Sequence, residues 1–428
     1  MRKVLIITYC YPPCNAISSH RPKSLVDNFQ EYGLYPVVVT RHWTGNERNW
    51  LDFQEPNLSP PRVREAAGAT LIELPYQGKL HHYFKKISGI PPLRTLIAFF
   101  LSATGRFQIH NDAIASFEKF LHGYLKENPV DYIFATCDPL SIARLGYRLT
   151  KKFDIPLIVD FRDLWNNRIL SSDYHPTLRE RANDRFFEWH VGRWIAPAKF
   201  VTAVTEPINE EIKRISPAMR TITITNGFES ELFADLNLRE ERPNKKFTFS
   251  IIGTLFPEHD LSVLTDGMDL FLRGKNLSEI QLNLIGTAGI AEIKSLFARR
   301  FPEECTRLTE RIPREEALEI MKRSDVLFHA GWRNYRGIAS GKIFEYMGAR
   351  RNVLIAPGDQ DVMEKLVTTT GIGRVANSPT EFATVMNAWF EEWQANGHLE
   401  WKGDMQEIMH YSRESQARIL AEAILDIE

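Results

Sequence analysis

In the stretch "GIASGKIFEYMGARRNVLIAPGDQD", which begins at Gly337, three adjacent residues could receive a ligand. Ser340 stands where a helix N-cap belongs, Gly341 opens the helix and Lys342 falls in its first turn. That turn already carries unpaired N–H groups and the positive end of the helix dipole. A lysine there is mismatched unless an anion comes to meet it. Glu345 follows one turn later on the same face, so the bland expectation is an exposed Lys–Glu pair worth a few tenths of a kcal/mol.

A second constellation is "VDFRDLW", which brings Asp160, Arg162, Asp163 and Trp165 to the carboxyl end of an apolar run. Asp163 could orient or deprotonate a hydroxyl as a general base. It could equally cap a helix or pair with Arg162. A third is "PPCNAISSHRPKSL", where Ser18, Ser19, His20 and Arg21 offer side chains near a helix start. Arg21 is again a cation in a place suited to an anion, with a carboxylate across a cleft as the alternative partner.

Other signals carry less. Neither G-x-G-x-x-G nor G-x-x-x-x-G-K-[ST] occurs, so a simple dinucleotide enzyme and a P-loop NTPase are unsupported. Cys10 and Cys14 have neither a redox spacing nor a second ligand pair, and His81 and His82 lack partners at metal-ligand spacing. No strand-flanked D-x-D element is present, and no metal or cofactor is expected.

The 428 residues suggest two domains of about 200 each. With 43% apolar and 25% charged residues the profile is globular, and 53 basic against 54 acidic side chains give no nucleic-acid footprint. The first apolar run starts at Val4 with no signal-peptide h-region before it, and the four scattered cysteines fit a reducing compartment. The longest apolar run, "LIAFFL", is far below the roughly 20 residues that span a membrane. A cytoplasmic setting is expected.

Apolar, β-branched runs alternate with helix-length amphipathic segments. The first series is "VLIITY", "PVVVT", "TLIELP", "YIFAT", "PLIVDF", "FVTAVT" and "TITITNG". The second is "FTFSIIG", "QLNLIG", "DVLFHAG", "NVLIAPG" and "GIGRVA", and the polar "LNLREERPNKK" between the series reads as a linker. This pattern predicts two tandem doubly wound α/β domains, each a parallel sheet covered on both faces. The expected boundaries are 1–235, 236–405 and a final helical segment, 406–428, that crosses back to the first domain. Ligands collect at the carboxyl ends of such strands, so a cleft between the domains is the expected site.

Four landmarks in order carry a family likeness: "KVLIITYCYPP" with its following helix, "IPLIVDFRDLW", "VTAVTEPINEEIKR" with "ITNGFE", and "SIIGTLFPEHD" with the distant "SGKIFEYMGARRNVLIAPG". Together they span nearly the whole chain. The sequence resembles the GT-B glycosyltransferases, specifically the family-4-like enzymes of bacterial surface polysaccharide synthesis. The resemblance implies sugar transfer from a nucleotide-sugar donor, which is a substrate rather than a cofactor, bound mainly by the C-terminal domain. The expected anion is then a nucleotide diphosphate at Ser340, Gly341 and Lys342, with Glu345 accepting the ribose hydroxyls. Gly253 and Thr254 form the turn at the phosphates, with His259 where relatives carry a cation. Arg311 and Ile312 flank the base, and Arg333 and Arg336 are further sources of charge. The position of a second family glutamate is Gly337, so backbone N–H groups of residues 337–339 are expected to hold the sugar.

On the acceptor side the likeness points to Ser19, His20, Arg21 and Asp163, with a saccharide or lipid-linked saccharide as partner. Retention at the anomeric carbon and independence of metal are implied. The basic and apolar segment 83–107 would suit peripheral contact with the inner face of the cell membrane; a core helix with a basic loop is the alternative. A nucleotide-sugar 2-epimerase of the same fold and a non-catalytic sugar-nucleotide-binding protein are the other readings.

Overall fold

The computed structural model describes residues 1–47, 52–66, 68–76, 112–137, 139–234 and 245–427. Segment 83–107, His81, His82 and most of the polar linker lie outside the described residues. The chain forms two compact units: Met1–Asn167, His175–Thr225 and Gln416–Glu428 in one, Arg168–Tyr174 and Asn226–Ser415 in the other.

In the first unit the elements run β1 (Arg2–Ile7), α1 (His20–Phe29), β2 (Leu34–Arg41), β3 (Arg62–Ala66), β4 (Ala69–Leu74), α2 (Asp112–Glu127) and β5 (Tyr132–Cys137). They continue with α3 (Ser141–Phe153), β6 (Leu157–Phe161), α4 (Leu178–Ile195), β7 (Ala198–Ala203), α5 (Glu206–Ile215) and β8 (Thr221–Thr223). The sheet order is β3-β4-β2-β1-β5-β6-β7-β8, parallel except for the β3–β4 hairpin. Register fixes the core: Ile6 faces Val38 and Phe134, Phe134 faces Ile158, and Ile158 faces Phe200. These side chains pack with Leu25, Val26 and Phe29 of α1, all buried.

The second unit holds β9 (Phe247–Ile252), α6 (Ser262–Leu272), β10 (Ile280–Ile285), α7 (Ala291–Arg300), β11 (Thr306–Leu308), α8 (Arg314–Arg323) and β12 (Val326–His329). Then come α9 (Gly341–Ala349), β13 (Asn352–Ile355), α10 (Val362–Thr370), β14 (Gly373–Val375), α11 (Pro379–Asn396) and α12 (Met405–Met409). Its sheet, β11-β10-β9-β12-β13-β14, is parallel throughout. Alternation along each strand feeds two cores. Val326, Phe328 and Leu354 meet α6, α7 and α11 on one face, while Leu327, Val353 and Ile355 meet α8, α9 and α10 on the other. The fold is thus α/β with two doubly wound parallel sheets.

Several boundaries differ from those read in the sequence. The second unit begins at Asn226, because Phe228 and Phe233 are buried in its core against Gly348, where a Cβ would lie 2.6 Å from the Phe233 ring. The C-terminal segment is not one helix. Ser412 Oγ accepts from Ser415 N at 3.1 Å and starts α13 (Arg413–Leu425) separately from α12. From Gln416 onward the chain belongs to the first unit, where Ala417, Leu420, Ala421 and Ile424 complete the core. The edge strands β3 and β11 were not anticipated; both are short, and their side chains are at least partly exposed.

Candidate functional site

At the carboxyl edge of the second sheet, β9 is followed by Gly253, with φ +97°. That backbone conformation favours glycine, and a Cβ there would lie 2.6 Å from Lys342 Cε and push the lysine end aside. The Lys342 ammonium donates to the Thr254 carbonyl at 2.9 Å. Ser340 caps α9, its Oγ accepting from Lys342 N at 3.3 Å. Tyr346, one turn beyond Lys342, is fully buried; its hydroxyl accepts from Ile252 N at 3.4 Å and donates to the Phe328 carbonyl at 3.3 Å. This hydroxyl fastens α9 across β9 and β12 and so sets where Lys342 stands.

Lys342 forms no ion pair among the described residues. Burial pushes its pKa down to about 8, with Glu345 opposing. His259 lies in the turn after β9, its Nδ1 2.9 Å from Phe256 N and 3.2 Å from Phe256 O. A neutral ring with its proton on Nε2 satisfies the shorter contact. Burial lowers the His259 pKa, and Lys342 lowers it further. The ring centroid lies 4.1 Å from that of Trp332. His329, the last residue of β12, is only 7% exposed, and its Nδ1 is buried with no hydrogen-bond partner among the described residues. Its pKa is pushed down to about 3 by burial, then by Lys342 and His259, with a backbone contact at Ala330 opposing.

Glu345 makes no salt bridge with Lys342. Its Oε1 accepts from Arg314 Nη2 at 3.3 Å, and the same nitrogen reaches Glu229 Oε1 at 3.0 Å. Arg311 is exposed without a polar contact among the described residues, whereas Ile312 packs against the core that contains Ile343 and Phe344. Arg336 is exposed, its backbone N–H donating to the Leu170 carbonyl at 2.9 Å. Arg333 pairs with Asp260 at 3.4 Å. The expected sugar contact at Gly337 N–H is corrected: that group donates to Asp361 Oδ2 at 2.6 Å. Gly253, Thr254, His259, Ser340, Gly341 and Lys342 therefore share one edge, with Glu345 beside it, and Arg311 stands apart.

Beside His259 the second unit holds a cavity of about 460 Å³ lined by Trp332, Tyr335, Tyr174, Arg168, Glu258 and Asp260 among others. Residues 168–174 supply part of its wall: Ser172 N donates to the Asn334 carbonyl at 2.8 Å, and Ser171 bridges Tyr335. Aromatic side chains and carboxylates in one lining suit a polyhydroxyl ring.

In the first unit the Asp160 carboxylate is fully buried and accepts from Arg21 Nε at 3.0 Å, Arg21 Nη2 at 2.7 Å, Thr136 at 2.9 Å and Thr202 at 2.7 Å. Burial alone would raise its pKa; Arg21 and the two threonines outweigh that and hold it low. Arg21 Nη1 donates to the Thr225 carbonyl at 3.0 Å. The expectation that Arg21 meets an acceptor is thereby corrected, because its guanidinium is buried on Asp160 within one unit. Ser19 is also buried, its hydroxyl donating to the Ala16 carbonyl at 2.7 Å, and His20 is half-buried at the start of α1. Asp163 is exposed just past β6, with Oδ1 accepting from Asn167 at 3.0 Å. Among the described residues it makes no ion pair with Arg162, and its contact is with the Asn167 side chain. Next to it, Arg162 Nε and Trp165 Nε1 are buried with no hydrogen-bond partner among the described residues.

Sequence reading missed Tyr346, His329, Arg314 and Trp332. The signals were there in part: Tyr346 follows Lys342 by four, and His329 ends an otherwise apolar strand. Among the described residues no group of three or more His, Cys, Asp or Glu could hold a metal ion, and no helix is long and apolar enough to cross a membrane.

No family model matches the chain, and no curated protein matches it by sequence. Solved structures match over its length. A glycosyltransferase from Rickettsia africae ESF-5 gives a TM-score of 0.64 at 12% identity, covering 100% of this chain and 99% of that one. Anabaena Alr3699/HepE in complex with UDP and glucose gives 0.61 at 14% identity, with both chains covered fully. Sucrose-phosphate synthase from Thermosynechococcus elongatus gives 0.59 at 15% identity, covering 99% of this chain and 95% of that one. Likeness at these identities shows the fold, which is the GT-B class.

Proposed function

We propose that the chain is a glycosyltransferase whose second unit binds a nucleoside diphosphate-sugar. The observation that carries this reading is Lys342: an ammonium at a capped helix start, held over a glycine on a carbonyl and paired with no carboxylate among the described residues. A diphosphate supplies the missing charge and takes hydrogen bonds from the helix start. Solved structures of this fold include one in complex with UDP and glucose, which makes UDP the first nucleotide to try.

In the proposed reaction the anomeric C–O bond to the diphosphate breaks and an acceptor hydroxyl oxygen takes its place. Negative charge gathers on the departing phosphate, so Lys342 and His259 act most strongly in the transition state. Glu345 would receive the ribose hydroxyls through the oxygen not engaged by Arg314. Asp163, with Oδ2 still available, would orient or deprotonate the acceptor hydroxyl. The acceptor is a saccharide or lipid-linked saccharide of surface polysaccharide synthesis, handled in the cytoplasm at the inner face of the membrane.

A thermal-shift screen with UDP, GDP, ADP and CMP tests the donor assignment, run beside Lys342→Ala and Glu345→Ala. One nucleotide should stabilise the wild type and lose its effect in both variants; no shift with any of them removes the reading. Retention and metal independence are tested by following the product anomer by NMR with EDTA present. An inverted product, or a rate that collapses with EDTA, refutes the corresponding part. Flotation of the purified chain with anionic liposomes tests membrane contact, and a chain that stays in the dense fraction refutes it.

A further inference from the structure

We infer that His329 is a ligand-contacting residue, its Nδ1–H donating to an anionic phosphate oxygen that Lys342 also holds. The inference rests on the donor-site reading and adds to it a residue that no motif marks.

Position comes from register. Phe328 faces Ile251, so His329 stands beside Ile252, one residue short of the Gly253 that carries the Lys342 stem. Direction comes from alternation. Val326 and Phe328 enter the core on one face, and Leu327 enters the core under α9 on the other. His329 follows Leu327 by two, so its side chain is on the α9 face, together with Ile252 and its strand partner Ile355. Tyr346 fastens α9 to the backbone on either side of that place.

The imidazole is thus enclosed by elements that bring Nδ1 no hydrogen bond of good geometry, although the adjacent Ala330 backbone lies near enough to the ring to oppose part of the fall in its pKa. Buried polar atoms are nearly always satisfied, and one left bare invites a missing ligand. Burial beside Lys342 keeps the ring neutral, so it offers a donor without adding charge. An oxygen drawn to the ammonium supplies the acceptor, and the Nδ1–H tautomer follows from its arrival.

Two variants separate a ligand contact from a structural role. His329→Leu removes the polar atom while keeping an apolar filling, and His329→Asn returns an amide near the position of Nδ1. Melting temperature without ligand and affinity for UDP, GDP and ADP are measured for both and for the wild type. Expected are a melting temperature in the leucine variant equal to or above wild type, nucleotide affinity lowered at least about tenfold, and partial recovery with asparagine. A leucine variant that melts lower yet binds the nucleotide as wild type does overturns the inference and leaves the donor site standing. A wild type that binds none of the three overturns the donor-site reading and this inference with it.

Discussion

At the scale of single residues, Lys342 makes the sharpest statement about pH. Its folded-state pKa, near 8, lies below its ordinary value of 10.5. Between those values the unfolded chain holds a proton that the folded chain has released, so this group makes the free protein more stable as pH rises across the window. Nucleotide affinity runs the other way. On the proposed donor reading the ammonium meets the phosphate, and it is half lost at about pH 8, so affinity should fall as pH climbs through 8 to 9.5. Calorimetric titration with the stabilising nucleotide at several pH values checks this, and Lys342→Met should flatten the profile while leaving the ligand-free protein at least as stable at pH 7. A profile that is flat in the wild type would detach the lysine from the ligand. Arg21 is the contrasting case: also a cation near a helix start, but its guanidinium is buried on Asp160. Residue type marked both positions, and only the neighbours told them apart.

At the scale of elements, α9 acts as an arm whose angle the Tyr346 hydroxyl fixes on β9 and β12. Tyr346→Phe leaves the ring in the core but strips the partner from Ile252 N. The expected loss is about 1–3 kcal/mol of stability, with nucleotide affinity falling although Lys342 and Ser340 are untouched. Denaturant melts and thermal shifts on the same variant check both halves; a destabilised protein with wild-type affinity would show that α9 is positioned by its apolar face alone. This dependence explains what the sequence could disclose. Runs such as "YIFATC" and "PLIVDF" announce strands because both faces are buried, and Ser340 announces a helix start. The edge strands "RVREA" and "TRL" escape notice because exposure on an edge leaves them polar. His329 and Tyr346 become site residues only once β12 is laid beside β9 in a definite register, and strands so distant in the chain reveal no register beforehand. Arg314 was hidden for a similar reason: its partners, Glu229 and Glu345, come from segments far to either side of it.

At the scale of the whole molecule, chain order and unit membership diverge. The first unit is completed by a segment that follows the whole second unit in the chain, since Ala417, Leu420, Ala421 and Ile424 are all buried among side chains of β1, β2 and α1. The second unit needs none of them: its sheet, its two cores and every donor-side residue named above lie within Arg168–Tyr174 and Asn226–Ser415. Deleting residues 416–428 therefore opens one core and spares the other. Each large apolar side chain lost from a core typically costs about 2–5 kcal/mol, enough to abolish the marginal stability of a domain. Calorimetry of the truncated chain should show the first unit's transition shifted far down or absent, while the transition stabilised by nucleotide keeps its midpoint and its ligand response. If the nucleotide response disappears with the tail, the donor site depends on the first unit being folded.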